Sequence, residues 1–137
     1  MTGLNDPKIR SFLDSKEIAI LATVQADGGP LAMAMWFLHD RASLTMISEA
    51  RSQKVRNLRR DPRVCVVAEA GGGGADIRGV AVQGRAEFLD DGPERRALVQ
   101  RFHEKYPRLK DLWHGQAMPA DRVMFRIQPE RARSWGL

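Results

Sequence analysis

Apolar residues along this chain recur more often with a period of two than with a period near four, and turn chemistry interrupts the alternation at short intervals. Residues 17–25 (E-I-A-I-L-A-T-V-Q) are almost continuously apolar, the pattern of a central strand covered on both faces. Asp27-Gly28-Gly29-Pro30 supplies a turn, residues 31–38 (L-A-M-A-M-W-F-L) a second strand, His39-Asp40-Arg41-Ala42 another turn, and residues 43–48 a third strand. Short connections of this kind predict an antiparallel three-strand meander. Residues 63–69 and 76–89 read as the fourth and fifth strands, joined through Gly71-Gly72-Gly73-Gly74, which is expected to be a hairpin loop. In the fifth strand Val80, Val82, Gly84 and Ala86 fall on one face and Ala81, Gln83, Arg85 and Glu87 on the other. Gly79 and Gly84 signal a bulge or a sharp bend. Residues 122–128 alternate as a sixth strand; Pro129-Glu130 is expected to end it, and residues 132–135 to add a last extended piece.

Helical spacing appears in the remaining stretches. Asp6-Pro7 followed by Ile9, Phe12 and Leu13 predicts a short capped helix with one apolar face. A helix opening at residues 90–94 and running to about Tyr106 carries the stripe Leu98, Val99, Phe102 and Tyr106, and Pro107 stops it. Leu109, Leu112 and Trp113 suggest one more helical turn. Between the third and fourth strands, Ser52 caps a short basic helix that Asp61-Pro62 ends, because proline disfavours a helical residue before it. Six strands, mostly in hairpin order, with two or three helices predict a mainly β single domain over residues 1–137: a six-stranded antiparallel barrel with helical insertions. There is no βαβ alternation, no G-x-G-x-x-G opening a helix, no P-loop, no nucleophile elbow and no H-E-x-x-H.

Charge sharpens the picture at one place. The net charge is +5, from 17 Arg and 5 Lys against 17 acids, and it concentrates in the short helix at Lys54, Arg56, Arg59 and Arg60. A helix N-terminus bearing Ser52 and Lys54 suits a phosphate. The same residues also suit a solvated basic face, and composition leaves both open. Aromatics make up only 7% and do not interleave with the basic cluster, so a nucleic-acid partner is not expected. The lone Cys65, flanked by valines, reads as an inert thiol on a buried strand. His39, His103 and His114 lack metal-ligand spacing, so no metal is expected. The first residues are polar, and no apolar run approaches the ~20 residues of a membrane span, so a cytoplasmic protein without membrane contact is expected.

The order of motifs is more specific than any one of them. A-I-L-A-T-V at 19–24, D-G-G-P at 27–30, M-W-F at 35–37, S-Q-K-V-R-N-L-R-R-D-P-R-V at 52–64, V-Q-G-R-A-E at 82–87 and P-E-R-A-R-S-W at 129–135 together resemble the split β-barrel flavin-binding family. That family includes the pyridoxamine 5′-phosphate oxidases and the deazaflavin (coenzyme F420)-dependent reductases similar to them. The resemblance implies a homodimer with cofactors in clefts at the subunit interface. It matches Ser52, Gln53 and Lys54 to the phosphate-binding segment. Asn57, one turn on, either orients the phosphate or caps local backbone. Met35 and Trp36 match the strand flanking the cofactor ring, and since Trp36 and Phe37 alternate, only one of them faces it. Gln83, with Gly84 and Arg85, matches the long strand that approaches the cofactor, and Trp135 a position closing over the partner's cofactor.

The departures are informative. Met33-Ala34-Met35 stands where many relatives carry a proline and a polar residue, so ring hydrogen bonds would come from backbone. The final Ser134-Trp135-Gly136-Leu137 lacks the Arg-Leu-x-Pro ending of the pyridoxamine phosphate oxidases, and that activity is not expected. Coenzyme F420 carries a phosphodiester and an acidic oligoglutamate tail, for which Arg59 and Arg60 are surplus cations; FMN needs fewer. The expectation is an oxidoreductase that uses coenzyme F420 on a small unsaturated or conjugated substrate. The alternatives are an FMN-dependent oxidoreductase and a non-enzymatic flavin, deazaflavin or tetrapyrrole-binding protein. In cofactor enzymes the hydride chemistry belongs to the cofactor, so the absence of an acid–base dyad is unsurprising. His39 and Tyr106 are the residues open to a proton-donor role.

Overall fold

The computed structural model describes residues 3–137, so Met1 and Thr2, at the start of the polar N-terminal segment, lie outside the described residues. Helix α1 (Pro7–Asp14) starts as expected, with the Asp6 carboxylate accepting from the Lys8 amide at 2.9 Å, and buries Ile9, Phe12 and Leu13. Strands β1 (Ile18–Val24) and β2 (Pro30–Trp36) form a hairpin. The chain continues through β3 (Leu38–His39), β4 (Leu44–Glu49), α2 (Gln53–Arg60), β5 (Arg63–Ala70), β6 (Arg78–Leu89), α3 (Pro93–Lys105), α4 (Leu109–Leu112) and β7 (Arg122–Trp135).

The seven strands form one antiparallel sheet in the order β2-β1-β5-β6-β7-β4-β3, curled so that β2 at one edge returns beside β4 near the other. This is the split-barrel architecture that the sequence predicts, with seven strands rather than six. The extra strand arises because residues 31–38 are not continuous. Phe37 interrupts them: its amide donates to the Tyr106 hydroxyl at 2.9 Å, and its carbonyl accepts from Lys105 Nζ at 2.8 Å. With both backbone groups taken by side chains at the C-terminal end of α3 and its cap, Phe37 leaves the ladder, and the chain steps from one sheet edge to the other. The expected three-strand meander is therefore not formed. β1 and β2 pair as anticipated, but β4 pairs with β3 and β7.

The second correction concerns β7, which runs unbroken through Pro129. Pairing of β6 with β7 shifts register between Gln83 and Gly84, so Gln83 faces Arg131 while Gly84 faces Pro129. A proline lacks the donor a regular ladder needs, and a bulge is where that lack is tolerated. Gly84 permits the approach: a Cβ there would collide with the Gln128 carbonyl and the Pro129 Cα. The expected alternation on β6 holds, with Val80, Val82 and Gly84 buried and Gln83, Arg85 and Glu87 exposed. The four-glycine segment is the β5–β6 hairpin loop.

The sheet encloses one core, built on Leu21, Phe37, Met46, Leu58, Val82 and Phe125. A second lies under α3, where Leu98, Phe102 and Tyr106 pack on Leu38, Trp113 and Met124. Each fully buried large apolar side chain contributes roughly 1.5–3 kcal/mol. Helix α2 inserts Val55 and Leu58 into this framework and ends at Asp61, as expected from Asp61-Pro62. No helix among the described residues is long and apolar enough to cross a membrane.

Gly84→Ala is expected to destabilise the protein by about 1–3 kcal/mol through overpacking at the bulge. Gly92→Ala, where an added Cβ meets nothing, should change stability by less than about 0.5 kcal/mol. Urea unfolding of the two variants checks the contrast.

Candidate functional site

The β4–α2 junction builds a polar corner. Ser52 caps α2, its Oγ accepting from the Val55 amide at 3.4 Å while donating to the Glu49 carbonyl at 2.8 Å. Ser48 Oγ lies 3.2 Å from Ser52 Oγ, so two hydroxyls stand together at the helix entrance. The β4–β7 register sets Glu49 opposite Arg122, which brings that guanidinium to the same corner. Arg122 is paired with Asp121 at 2.6 Å and lies 3.9 Å from Glu49. Lys54, the second residue of α2, makes no hydrogen bond or ion pair among the described residues. Desolvation by burial holds its pKa below the ordinary lysine value, opposed by the charge of Glu49. A half-buried ammonium without an anion of its own is the arrangement that a bound anion completes.

This corner is one end of a cleft of about 420 Å³, a size typical of small-molecule sites. Ser48, Ser52, Lys54 and Arg122, with the Glu49 carboxylate among them, line its polar end, and Ala34, Met35 and Trp36 of β2 one wall. Opposite them, Ile47 and the α4 segment (Leu109, Leu112 and Trp113) make it apolar. The Trp36 indole is held in plane by Tyr106, with centroids 4.5 Å apart and planes inclined by 3°. Tyr106 is itself fixed at its hydroxyl, which accepts from the Phe37 amide and lies 2.8 Å from the Glu17 carbonyl and 3.0 Å from the Phe37 carbonyl. Burial pushes the Tyr106 phenol up to about 12, so it stays a donor to backbone carbonyls. Phe37 points into the core, fully buried, while Trp36 lines the cleft, which is the alternation the sequence predicts.

Of the residues singled out by sequence, Met35, Trp36, Ser52 and Lys54 meet in this cleft. Gln53 instead donates to Asn57 Oδ1 at 2.8 Å and accepts from Arg56 at 2.7 Å. Asn57 is fully buried and donates to Thr23 Oγ1 at 3.0 Å, so it ties α2 to β1. Arg60 donates to the Val24 carbonyl and to Asn57 Oδ1, and Arg59 lies 4.1 Å from the Phe88 ring centroid. Gln83 lines a separate groove of about 320 Å³ with Arg63 and Arg131. Trp135 lies over Gly79, where a Cβ would come within 2.6 Å of the indole. His39 sits elsewhere, bonded to Asp14.

Sequence reasoning missed Ser48, Arg122 and the α4 wall. Arg122 opens an alternating strand and carried no local signal; only the pairing of β7 with β4 reveals it. Ser48 showed itself only as the strand end four residues before Ser52.

Outside the curl, β1, β2, β5 and β6 share an apolar face. Ile18, Ile20, Ala22, Ala32, Ala34, Val67 and Ala81 are brought side by side by the strand registers. Ile18 and Ile20 are 41% and 37% exposed, and Trp36 borders the same surface. Cys65 lies on it too, half-buried, with burial pushing its thiol pKa up, in keeping with an inert cysteine. A contiguous apolar sheet face of this kind marks an interaction surface.

A family model described as pyridoxamine 5′-phosphate oxidase matches residues 6–136. Among solved structures, a conserved hypothetical protein from Mycobacterium tuberculosis is 31% identical, with a TM-score of 0.79 over 96% of this chain and 84% of that one. An FAD-binding protein from Mesorhizobium loti is 24% identical (TM-score 0.76, 93% and 89% covered). The haem storage protein HutZ from Vibrio cholerae is 20% identical (TM-score 0.80, 93% and 92% covered). At these last two identities the likeness shows the fold alone.

Tyr106→Phe keeps the stack on Trp36 but leaves the Phe37 amide without its acceptor. The expected cost is about 1–3 kcal/mol for one unsatisfied buried group, read by urea unfolding. Stability equal to wild type would mean that the junction at Phe37 is held otherwise.

Proposed function

Because the chain belongs to the pyridoxamine 5′-phosphate oxidase family, whose fold binds flavins, we propose that it is an oxidoreductase that holds coenzyme F420 in the β2–α2–α4 cleft and serves hydride transfer to a small unsaturated or conjugated apolar substrate. One observation carries this: the cleft has an unpaired, half-buried ammonium at one end and a plane-locked indole and apolar wall at the other. That polarity fits a long flat cofactor with an anion at one end.

Lys54 holds the phosphodiester, with Arg122 as the second cation and the Ser52 hydroxyl turning to it from the Glu49 carbonyl. Charge-assisted bonds of this sort are about twice as strong as neutral ones. Arg51 and Arg56, at the entrance to α2, stand next in line for the acidic tail; the Arg56 guanidinium already bonds the Arg51 carbonyl there. Arg59 and Arg60 serve the tail only by releasing Phe88 and the Val24 carbonyl. Trp36 offers its face to the ring, and the α4 segment keeps water from the reacting end. The bound deazaflavin supplies the hydride chemistry. Haem is the less suitable occupant, since no His, Cys or Tyr lines this cleft and Met35, the one lining residue of the usual haem-ligand types, is buried.

The apolar face of β1, β2, β5 and β6 is, in the same proposal, where two copies pair. Gln83 and Trp135 lie on the outward side of β6 and β7, and pairing across this face brings them toward the cleft of the other copy. Ile20→Glu is expected to convert the dimer into a monomer in sedimentation experiments and to weaken cofactor binding. A monomeric wild type, or a dimer unaffected by Ile20→Glu, would contradict this assembly.

The functional reading is tested by titrating the protein with coenzyme F420, FMN and haem. F420 is expected to bind tightest. Lys54→Ala should weaken it tenfold or more, in line with ~1.5–3 kcal/mol for a charge-assisted bond. The pH dependence has a definite sign. Burial disfavours the Lys54 ammonium in the free protein, whereas a bound anion favours it, so affinity falls as pH rises through the Lys54 titration, and Lys54→Ala flattens that slope. Tight FMN or haem binding without F420 binding would sink the assignment.

A further inference from the structure

A second cleft, of about 490 Å³, opens where α1, β3 and α3 meet, and shares no lining residue with the first. Into it face Asp14 from α1, His39 from β3, and Arg101, Glu104 and Lys105 from α3. The proposed function uses none of them.

Lys105 is the unusual member. Its ammonium lies 3.8 Å from the centroid of the Phe37 ring and 5.2 Å from that of Tyr106, and donates to the Phe37 carbonyl. Desolvation by burial outweighs the nearby carboxylates of Asp14 and Glu17, Arg101 adds to it, and the pKa falls to about 8. A lysine desolvated against apolar surface with a cation beside it is the environment that makes an amine nucleophilic. Arg101 donates to the His39 carbonyl at 3.2 Å and is paired with no carboxylate among the described residues. His39 has a side chain only 9% exposed, with Nε2 2.7 Å from Asp14 Oδ1 and Nδ1 buried without a partner. Burial, with Lys105 and Arg10 nearby, lowers its pKa despite Asp14, so the ring is a neutral imidazole whose Nε2 proton is assigned to the Asp14 bond. The cleft thus holds an amine, a guanidinium bonded to one backbone carbonyl, a carboxylate–imidazole pair and the Glu104 carboxylate, which confines an incoming anion to the Arg101 side.

We propose that this cleft is a carbonyl-condensing site, in which Lys105 forms a reversible imine with a small 2-oxo acid or aldehyde acid whose carboxylate is held by Arg101. The Lys105 lone pair attacks the carbonyl carbon, a C–N bond forms, and the C=O π pair moves to oxygen, which takes up the proton lost from nitrogen. The carbinolamine hydroxyl then takes up the proton that the Lys105 ammonium gave up beforehand and leaves as water, and the nitrogen lone pair closes the C=N bond with the remaining hydrogen still on nitrogen. No oxidant or reductant is consumed. The protons exchange with solvent, to which the Asp14 carboxylate at the mouth of the cleft is open. When Lys105 leaves the Phe37 carbonyl, that oxygen keeps the Tyr106 hydroxyl at 3.0 Å. A protonated imine remains over the Phe37 face, where an aromatic ring favours a cation.

The test is reductive trapping on the full chain. Glyoxylate with cyanoborohydride at pH 8, followed by peptide mapping, should place the first carboxymethyl group on Lys105 ahead of Lys8, Lys16, Lys54 and Lys110. Arg101→Gln should raise the glyoxylate concentration for half-labelling about tenfold, the loss of one charge-assisted bond, and weaken labelling by acetaldehyde, which has no carboxylate, by a smaller factor that reflects only the lost cation beside Lys105. Lys105→Met should abolish the selective adduct. Labelling spread evenly over the lysines of the wild-type protein, or equal glyoxylate sensitivity in Arg101→Gln, would overturn the proposal. Neither result depends on cofactor binding in the first cleft.

Discussion

The fold turns on the backbone of one residue. Phe37 lies where the chain must pass from the β2 edge of the sheet to the β3 edge, and a strand cannot do this while keeping its ladder bonds. Tyr106 and Lys105, adjacent at the end of α3, satisfy the amide and carbonyl that the ladder gives up. A buried orphan of either kind costs about 1–3 kcal/mol, so this junction decides whether the barrel stays split at that point. The same two side chains have further consequences. The Tyr106 ring sets the plane of Trp36 in one cleft, and the Lys105 amine, drawn into apolar surroundings by the Phe37 carbonyl, becomes the reactive group of the other.

The first cleft owes its polarity to topology. β4 runs into α2 through a two-serine corner, and β7 pairs with β4 in a register that sets Arg122 against Glu49. Lys54 is left as a cation with its electrostatic neighbour opposing burial rather than pairing with it. Family membership and this local electrostatics argue in the same direction from independent grounds, one from the chain as a whole and the other from four side chains.

Much of this architecture was legible in the sequence. Period-two alternation, the Gly-rich turns and the Ser52–Asp61 boundaries of α2 located nearly every element, and motif order identified the family. What escaped was non-local. Nothing near Phe37 in sequence announces that a tyrosine far along the chain will take its amide. The break at Pro129 was expected from local rules, and Gly84, paired across the sheet, removes it. Within the site, Ser52, Lys54, Met35 and Trp36 carried motif signals, whereas Arg122 and Trp113 reach the cleft through strand register and the packing of α4. Arg59 and Arg60, chosen for their charge, are engaged by a phenylalanine ring and a backbone carbonyl, partners that charge patterning does not anticipate. Asn57 is likewise absorbed into the bond network joining α2 to β1.

The central claim is that a cofactor anion sits at the Ser52–Lys54 corner with its ring toward Trp36. A crystal structure of the protein with coenzyme F420 tests this most directly. The account predicts phosphate oxygens within about 2.7–3.0 Å of Ser52 Oγ and Lys54 Nζ, the span of charge-assisted and hydroxyl hydrogen bonds, with the deazaflavin ring against the Trp36 indole. A phosphate held instead in the Gln83–Arg131 groove or beside Lys105, with the α2 corner empty, would contradict it.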